Sequence, residues 1–341
     1  MTRKITLLLA MLTLCMPPVL SYAAEKKPQK TVVSKTKAKT TKKVAAQKKT
    51  KAAASKKNVA SGRIISTIRS NSAVAATAPA SVFKDEGGHL QLASSKAMIV
   101  NQNSGEVLYA KGMDQAAPIA SLTKLMTAMV VLDARLDMDE QIQVTREDID
   151  TLKGTGSRMP IGASLTRAEM LQLALMASEN RAASALGRNY PGGMNAFVAA
   201  MNTKALQLGM LHSRFADPTG LNSANTSTAE DLVKMVRAAY QYPDIRQVST
   251  STSYSVPVNG ARAPLHYVNS NVLVRNSDWT IGLSKTGYIN EAGRCLVMQA
   301  EVGGQPLIIV LLDSFSKNAR VGDAQKIRRW IESSNSYRHE G

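Results

Sequence analysis

Aromatic side chains are scarce, at 4% of the 341 residues, which argues against the stacked platforms that hold nucleic-acid bases. Cysteine is scarcer: Cys15 and Cys295 are the only two, too few for a disulfide framework or a multi-thiolate metal site. The four histidines, His89, His212, His266 and His339, include no His-Glu-x-x-His pair, so a helix-borne zinc site of that kind has no ligands. Neither a metal nor another cofactor is expected. Acidic residues are outnumbered, with 25 Asp and Glu against 43 Lys and Arg and a net charge of +18. Apolar residues are plentiful at 44%, enough to bury a sizeable core and exclude disorder throughout. The length suits one large domain or two ordinary ones.

The charge is concentrated in one stretch. Residues 25–57 hold thirteen Lys and one Glu, or +12, leaving +2 for residues 1–24 and +4 for residues 58–341. Arg3 and Lys4 precede the apolar run Ile5–Cys15, Pro17 and Pro18 break it, and Ser21-Tyr22-Ala23 puts small residues at −3 and −1 before Ala24. That layout predicts a signal peptide over 1–23, hence export to the periplasm. The run is too short to span hydrocarbon, which needs roughly 20 residues. Bulky Leu14 before Cys15 argues against a lipoprotein site. After cleavage Cys295 stands alone, with no intramolecular partner.

Residues 24–85 read as a disordered Lys-rich linker, dominated by Lys, Thr, Ala, Ser and Gln and kept extended by self-repulsion. In an exported chain its partner is an anionic envelope polymer or lipid rather than nucleic acid. The other reading is a solvated tether with no partner. Binding that weakens as salt passes about 0.15 M, where the Debye length is about 8 Å, would separate the two. Nothing in the sequence fixes the oligomeric state.

A folded domain is expected over 86–335, with a short tail at 336–341. Ala97–Val100 and Val107–Ala110 flank a polar Asn-Gln-Asn-Ser-Gly stretch, and Cys295–Val302 and Leu307–Leu312 flank Gly303-Gly304; both patterns predict β-hairpins. Between them lie helical patterns at Leu122–Leu136, at Met170–Ala177 behind a Thr166/Glu169 capping box, and at Leu232–Tyr240 behind a Ser227/Glu230 box. A closing helix is expected over Ala324–Ile331. The pattern predicts an α+β domain whose terminal strands share one antiparallel sheet, with a mostly helical region inserted.

Three short motifs carry chemistry. Ser-x-x-Lys occurs from Ser34, Ser81, Ser121 and Ser314, and Ser-x-Asn from Ser178, Ser223, Ser316 and Ser333, so context must choose. Ser121-Leu122-Thr123-Lys124 stands where a helix begins, and an i, i+3 spacing puts both side chains on one face. A serine hydroxyl needs a base to become a nucleophile. A lysine serves if desolvation lowers its pKa. Ser178-Glu179-Asn180 interrupts a helical pattern with a hydroxyl and an amide that could shuttle a proton and hold a substrate amide. Lys285-Thr286-Gly287 follows a plausible strand, Trp279–Leu283. It pairs a cation and a hydroxyl, suited to a carboxylate, with a glycine that lets an extended peptide lie against the strand.

In this order the three motifs make the signature of serine penicillin-recognising enzymes. The segments Ser121–Leu136, Leu173–Ala183, Tyr190–Gly193, Asp217–Leu221 and Lys285–Met298 resemble the penicillin-binding protein 7 type of D-alanyl-D-alanine endopeptidases over roughly residues 90–335. The resemblance implies a DD-peptidase/β-lactamase-like fold that acts on peptidoglycan stem peptides and is inhibited by β-lactams. It implies Ser121 as nucleophile, Lys124 as base, and Ser178 and Asn180 in the proton path and substrate hold. It also implies that Lys285 and Thr286 bind the carboxylate, with Gly287 and Tyr288 in the substrate site, and that the backbone N–H groups of Ser121 and Tyr288 form an oxyanion hole. A DD-carboxypeptidase shares the motifs, but such enzymes often carry a C-terminal β domain and anchor for which little chain follows Trp330. A β-lactamase is disfavoured, since no Glu lies between Glu179 and Glu230. A non-catalytic wall-binding protein is disfavoured by the intact Ser121, Lys124 and Lys285.

Overall fold

A computed structural model describes residues 90–259 and 263–339. The expected signal peptide, the linker and the first four residues of the domain lie outside the described residues. In chain order the strands are β1 (Lys96–Asn101), β2 (Val107–Lys111), β3 (Ala117–Pro118), β4 (Gln141–Gln143), β5 (Ser164–Thr166), β6 (Thr226–Ser227), β7 (Ser253–Val256), β8 (Leu265–Val268), β9 (Thr280–Ile289), β10 (Gly293–Val302) and β11 (Gln305–Ser314). The helices are α1 (Thr123–Asp133), α2 (Arg167–Gln172), α3 (Asn180–Arg188), α4 (Gly193–Gln207), α5 (Ala229–Ala239), α6 (Pro243–Thr250) and α7 (Lys317–His339). Among the described residues no helix is long and apolar enough to cross a membrane.

The fold is the expected α+β arrangement. One antiparallel sheet runs in the order β2-β1-β11-β10-β9, so the first strands of the domain join the last, with Ile99 of β1 opposite Ile309 of β11. Short ribbons β3/β6, β4/β5 and β7/β8 tie down the helical region between. Alternate side chains of the sheet enter two cores. Met98, Val100, Val297, Ile308 and Val310 face the helical region. Ile99, Leu296, Met298, Ile309 and Leu311 meet Ala324, Ile327 and Ile331 of α7. Burial on both faces explains why β1, β10 and β11 read as nearly unbroken apolar runs. Each fully buried side chain of that size contributes about 1.5–3 kcal/mol. Helix α1 is buried from Thr123 to Val131, surrounded by α3, α4, α5 and the Ser121 turn, so anything it carries is desolvated.

Both expected hairpins form, as does the capping box at Thr166, whose hydroxyl accepts from Glu169 N at 3.1 Å while Glu169 accepts from Thr166 N at 2.9 Å. The second box does not form: α5 has a simple N-cap one residue on, Thr228, which accepts from Asp231 N at 3.1 Å. Ser227 is committed to the β3/β6 ribbon opposite Ala117. The closing helix is far longer than Ala324–Ile331 and continues past the expected domain boundary at 335. Only its core-facing residues give an apolar signal; its polar flanks do not.

Candidate active site

Ser121 lies in a 3-10 turn, Ala120–Leu122, that feeds directly into α1. Ala120 holds a left-handed φ of 48°, which costs a non-glycine residue about 1–2 kcal/mol. Two glycines let other segments clamp this strained turn. A Cβ on Gly220, itself at φ +82°, would sit 1.9 Å from Ala120 O, and one on Gly287 would sit 3.0 Å from Ile119 O and 3.1 Å from Ser121 N. The space freed by Gly287 is therefore filled by the Ser121 turn, a different reason for the glycine from the approach of a peptide. It sets Ser121 N against the strand one residue before Tyr288.

Lys124, one turn further along α1, is 1% exposed. Its ammonium donates to Ser121 Oγ at 2.9 Å, to Asn180 Oδ1 at 2.7 Å and to the Thr219 carbonyl at 2.7 Å. Burial lowers its pKa to about 7, against the opposing pull of Asp217 and Glu179. The lysine thus gives up its proton far more readily than an exposed one, and it is held against a serine hydroxyl.

Ser178 and Asn180 arrive through an irregular helix. After α2 the chain widens into a π-helical turn, Leu173–Ala177, and Ser178 ends it in the left-handed conformation at φ 62°, ψ 33°. Wide turns of this kind re-aim side chains at functional sites. Asn180 then begins α3, with Oδ1 on Lys124 and Nδ2 donating to Thr155 Oγ1 at 3.1 Å. Lys285, on β9, donates to Ser178 Oγ at 2.9 Å and to Thr286 O at 2.9 Å. It is 1% exposed, and burial, with Lys124 and Arg320 nearby, pushes its pKa well below the usual lysine value. Thr286 Oγ1 donates to Ser270 Oγ at 2.9 Å.

These residues share one cleft of about 300 Å³, lined by Ser121, Ser178, Asn180, Thr286, Gly287 and Tyr288 together with Ser270, Arg294, Lys317 and Arg320. Lys124 and Lys285 stand immediately behind it. All eight residues singled out in the sequence are therefore brought together, although Ser121 and Lys285 are far apart in the chain. Strand β9 is the edge of its sheet, and the cleft runs along it.

Four of the lining residues, Ser270, Arg294, Lys317 and Arg320, are not among the site residues read from the sequence. Arg320 is 4% exposed. It donates through Nη1 to Cys295 O at 2.9 Å, while its buried Nε has no partner. Burial, then proximity to Arg294, outweighs the pull of Cys295 and lowers its pKa to about 10. Arg294 stacks 3.6 Å over the Tyr288 ring, next to a register shift of β10 against β11. With Lys317, the cleft is lined by three cations and no carboxylate. In sequence Arg320 is one more charge on a polar helix; only its burial against β10 distinguishes it. The Asp217-Pro218-Thr219-Gly220 turn belongs to the Asp217–Leu221 segment that carries the resemblance and holds none of the three motifs. Its Asp217 carboxylate accepts from Thr219 N at 2.5 Å, Gly220 N at 2.7 Å, Asn222 N at 2.7 Å and Asn225 Nδ2 at 3.0 Å. Asn225 O in turn accepts from Ile119 N at 3.0 Å. That network holds Thr219 O on Lys124.

A family model described as D-alanyl-D-alanine carboxypeptidase, peptidase S11, matches residues 80–316. The chain is 47% identical over 242 residues to a D-alanyl-D-alanine endopeptidase of Pseudomonas aeruginosa, covering 71% of this chain and 78% of that protein. It is 45% identical over 260 residues to one of Escherichia coli, covering 76% and 83%. Relatives named carboxypeptidase match at 27–32% identity. Among solved structures, the Streptomyces K15 DD-transpeptidase superposes with a TM-score of 0.66 at 29% identity, covering 70% of this chain and 97% of that one.

Proposed function

This chain belongs to the D-alanyl-D-alanine carboxypeptidase family of serine peptidases, and from that premise we propose that it is an endopeptidase that opens D-alanyl cross-links between peptidoglycan stem peptides. The relatives of highest identity quoted above carry the endopeptidase name, which favours that activity over release of terminal D-alanine. Stem peptides lie outside the cytoplasmic membrane, so the enzyme acts in the periplasm. Recovery in the cytosolic rather than the osmotic-shock fraction would overturn that placement.

The observation that carries the mechanism is the environment of Lys124. A neutral amine keeps two hydrogens and one lone pair. Thr219 O and Asn180 Oδ1 are acceptors without protons of their own, so they take the two hydrogens. The lone pair then faces the one neighbour that has a proton to give, the Ser121 hydroxyl. Lys124 removes that proton as Ser121 attacks the D-alanyl carbonyl, and the backbone N–H groups of Ser121 and Tyr288 receive the oxyanion. The amine leaves with a proton passed through Ser178, whose hydroxyl sits on Lys285, and water then releases the acyl group from Ser121. β-Lactams acylate the same serine and inhibit. Cross-linked muropeptide dimers and monomeric pentapeptides, incubated separately with the enzyme, test the activity: dimers should be cut to monomers. Trimming of pentapeptides with dimers left whole would make it a carboxypeptidase. Mass spectrometry of a penicillin-treated digest should place the adduct on the peptide containing Ser121, and an adduct on another serine would sink the assignment.

Arg320, with Lys285 and Thr286, anchors the substrate's carboxylate on this reading, as a nearly buried cation lining the cleft. A hydrogen bond to a charged group is worth about 1.5–3 kcal/mol, or roughly 10–150-fold. Arg320→Gln should slow acylation by penicillin by about that factor while slowing acylation by an uncharged ester far less. Equal slowing would mean that Arg320 only braces α7 against Cys295.

A further inference from the structure

We propose that Thr155 and Asp150 are positioning residues that set the orientation of the Asn180 amide and so direct the lone pair of Lys124 to Ser121. This rests on the reading of Lys124 as the base. An asparagine side chain can present either oxygen or NH₂ to a neighbour, and the two choices have opposite consequences here. With Oδ1 toward Lys124, the amide takes a hydrogen from the amine. With Nδ2 toward Lys124, the amide would donate to the lone pair and withhold it from Ser121.

The choice is made on the far side of Asn180. Nδ2 donates to Thr155 Oγ1 at 3.1 Å, and Thr155 Oγ1 donates to Asp150 Oδ2 at 2.7 Å. A hydroxyl has one proton. Because Asp150 takes it, Thr155 has only lone pairs left for Asn180, and only the NH₂ end satisfies them. Asp150 is held in turn by Leu152 N at 2.8 Å and Lys153 N at 2.9 Å on Oδ1, and by Thr155 N at 2.8 Å on Oδ2. An oxygen facing that many donors stays an ionised acceptor, so the direction of the chain from Asn180 to Asp150 is fixed. The loop is braced by Arg158, which stacks 4.0 Å from the Tyr267 ring centre, and by the Lys153–Glu291 ion pair. Neither Thr155 nor Asp150 lines the cleft; each acts through Asn180.

Three substitutions separate positioning from bracing. Thr155→Val removes the hydroxyl and leaves the amide to water, which orients it neither way. Asp150→Asn puts an NH₂ beside Thr155, so the hydroxyl can turn its proton to Asn180 and reverse the amide. Thr155→Ser keeps the hydroxyl. A hydrogen bond of about 0.5–1.5 kcal/mol corresponds to roughly 2–12-fold. Penicillin acylation of Ser121 should fall by several-fold in Thr155→Val, by more in Asp150→Asn, and stay near the parent in Thr155→Ser. The pH profile gives the decisive readout. Lys124 is faced by Glu179, Asp217 and Lys285, none of which Thr155→Val changes, whereas Asp150→Asn also removes a charge, so the limb is read in Thr155→Val. An amide N–H turned toward the ammonium disfavours it, so the acid limb should move to lower pH as the plateau falls. A loosened loop that admits water would move the limb to higher pH instead, and that result overturns the proposal. So does a parent-like rate in folded Thr155→Val, or a Thr155→Ser as slow as Thr155→Val. Lys124→Ala run alongside keeps the two readings apart. If it stays active, the base assignment fails; if it is inactive while Thr155→Val is normal, only the positioning role fails.

Discussion

Lys124→Ala should slow acylation of Ser121 by about 10²–10⁴-fold, the contribution of a positioned general base. The parent enzyme should also show an acid limb near pH 7. Burial lowers the lysine's pKa to about 7, so below that pH the amine is charged and has no lone pair for the Ser121 proton, and above it the rate reaches a plateau. The limb should vanish with the residue, leaving a slow rate with no inflection near pH 7. Rapid-mixing measurement of acylation by a chromogenic penicillin from pH 5 to 9 checks both points. Acylation within a few-fold of the parent would mean that another group takes the proton. Stability supplies an independent check on the same pKa. The unfolded chain keeps the lysine protonated to about 10.5 whereas the folded chain releases the proton above about 7. Where the unfolded state binds more protons, stability rises with pH. This residue's penalty is therefore complete below about pH 7 and is relieved between about 7 and 10.5. Denaturant unfolding should show a steeper rise in the parent than in Lys124→Ala, where buried Lys285, whose pKa is also pushed down, still contributes one of the same sign.

How much of this site is legible in the sequence depends on whether its geometry is local. Ser121 and Lys124 are joined by helical spacing alone, so Ser-x-x-Lys at a helix start already implies their contact. Ser178 and Asn180 are legible as an interruption of a helical pattern, though not as the π-helical turn that aims them, since no residue type marks that turn. Lys285 is read from the order of the motifs. The residues without a signal act across long separations or from polar surroundings. Arg320 sits on a helix whose sequence is mostly polar, and its burial comes from β10. Thr155 and Asp150 belong to a polar loop whose value lies in the direction of its hydrogen bonds. The capping box at Ser227 shows the same limit: Ser227-Thr228 offers two hydroxyls in succession, and pairing of β6 with β3 decides which one is free to cap α5.

Gly220→Ala should damage both stability and acylation although Gly220 does not line the cleft. The added Cβ would lie 1.9 Å from Ala120 O, 2.3 Å from Ala120 C and 2.8 Å from Ser121 N. Those atoms are backbone and cannot swing aside like a side chain. A left-handed φ costs about 1–2 kcal/mol and overpacking about 1–3, so a loss of roughly 2–5 kcal/mol is expected. The displacement has two places to go, and both reach the chemistry. If the Ser121 turn moves, the nucleophile and its backbone N–H leave their positions. If the 217–225 loop moves, Thr219 O withdraws from Lys124, and the amine is no longer held with its lone pair toward Ser121. Acylation should therefore fall by more than about 10²-fold, since even a 1 Å misplacement can cost that much. Gly304→Ala is the control. Gly304 has a similar φ of +73° but nothing within 4 Å of its Cβ position, so it carries the backbone strain without the collision. It should lose about 1–2 kcal/mol and acylate at the parent rate. Thermal unfolding and penicillin acylation of the two variants decide the matter. A folded Gly220→Ala that acylates within a few-fold of the parent would mean that the Ser121 turn tolerates displacement and that its clamping by Gly220 has no part in the reaction.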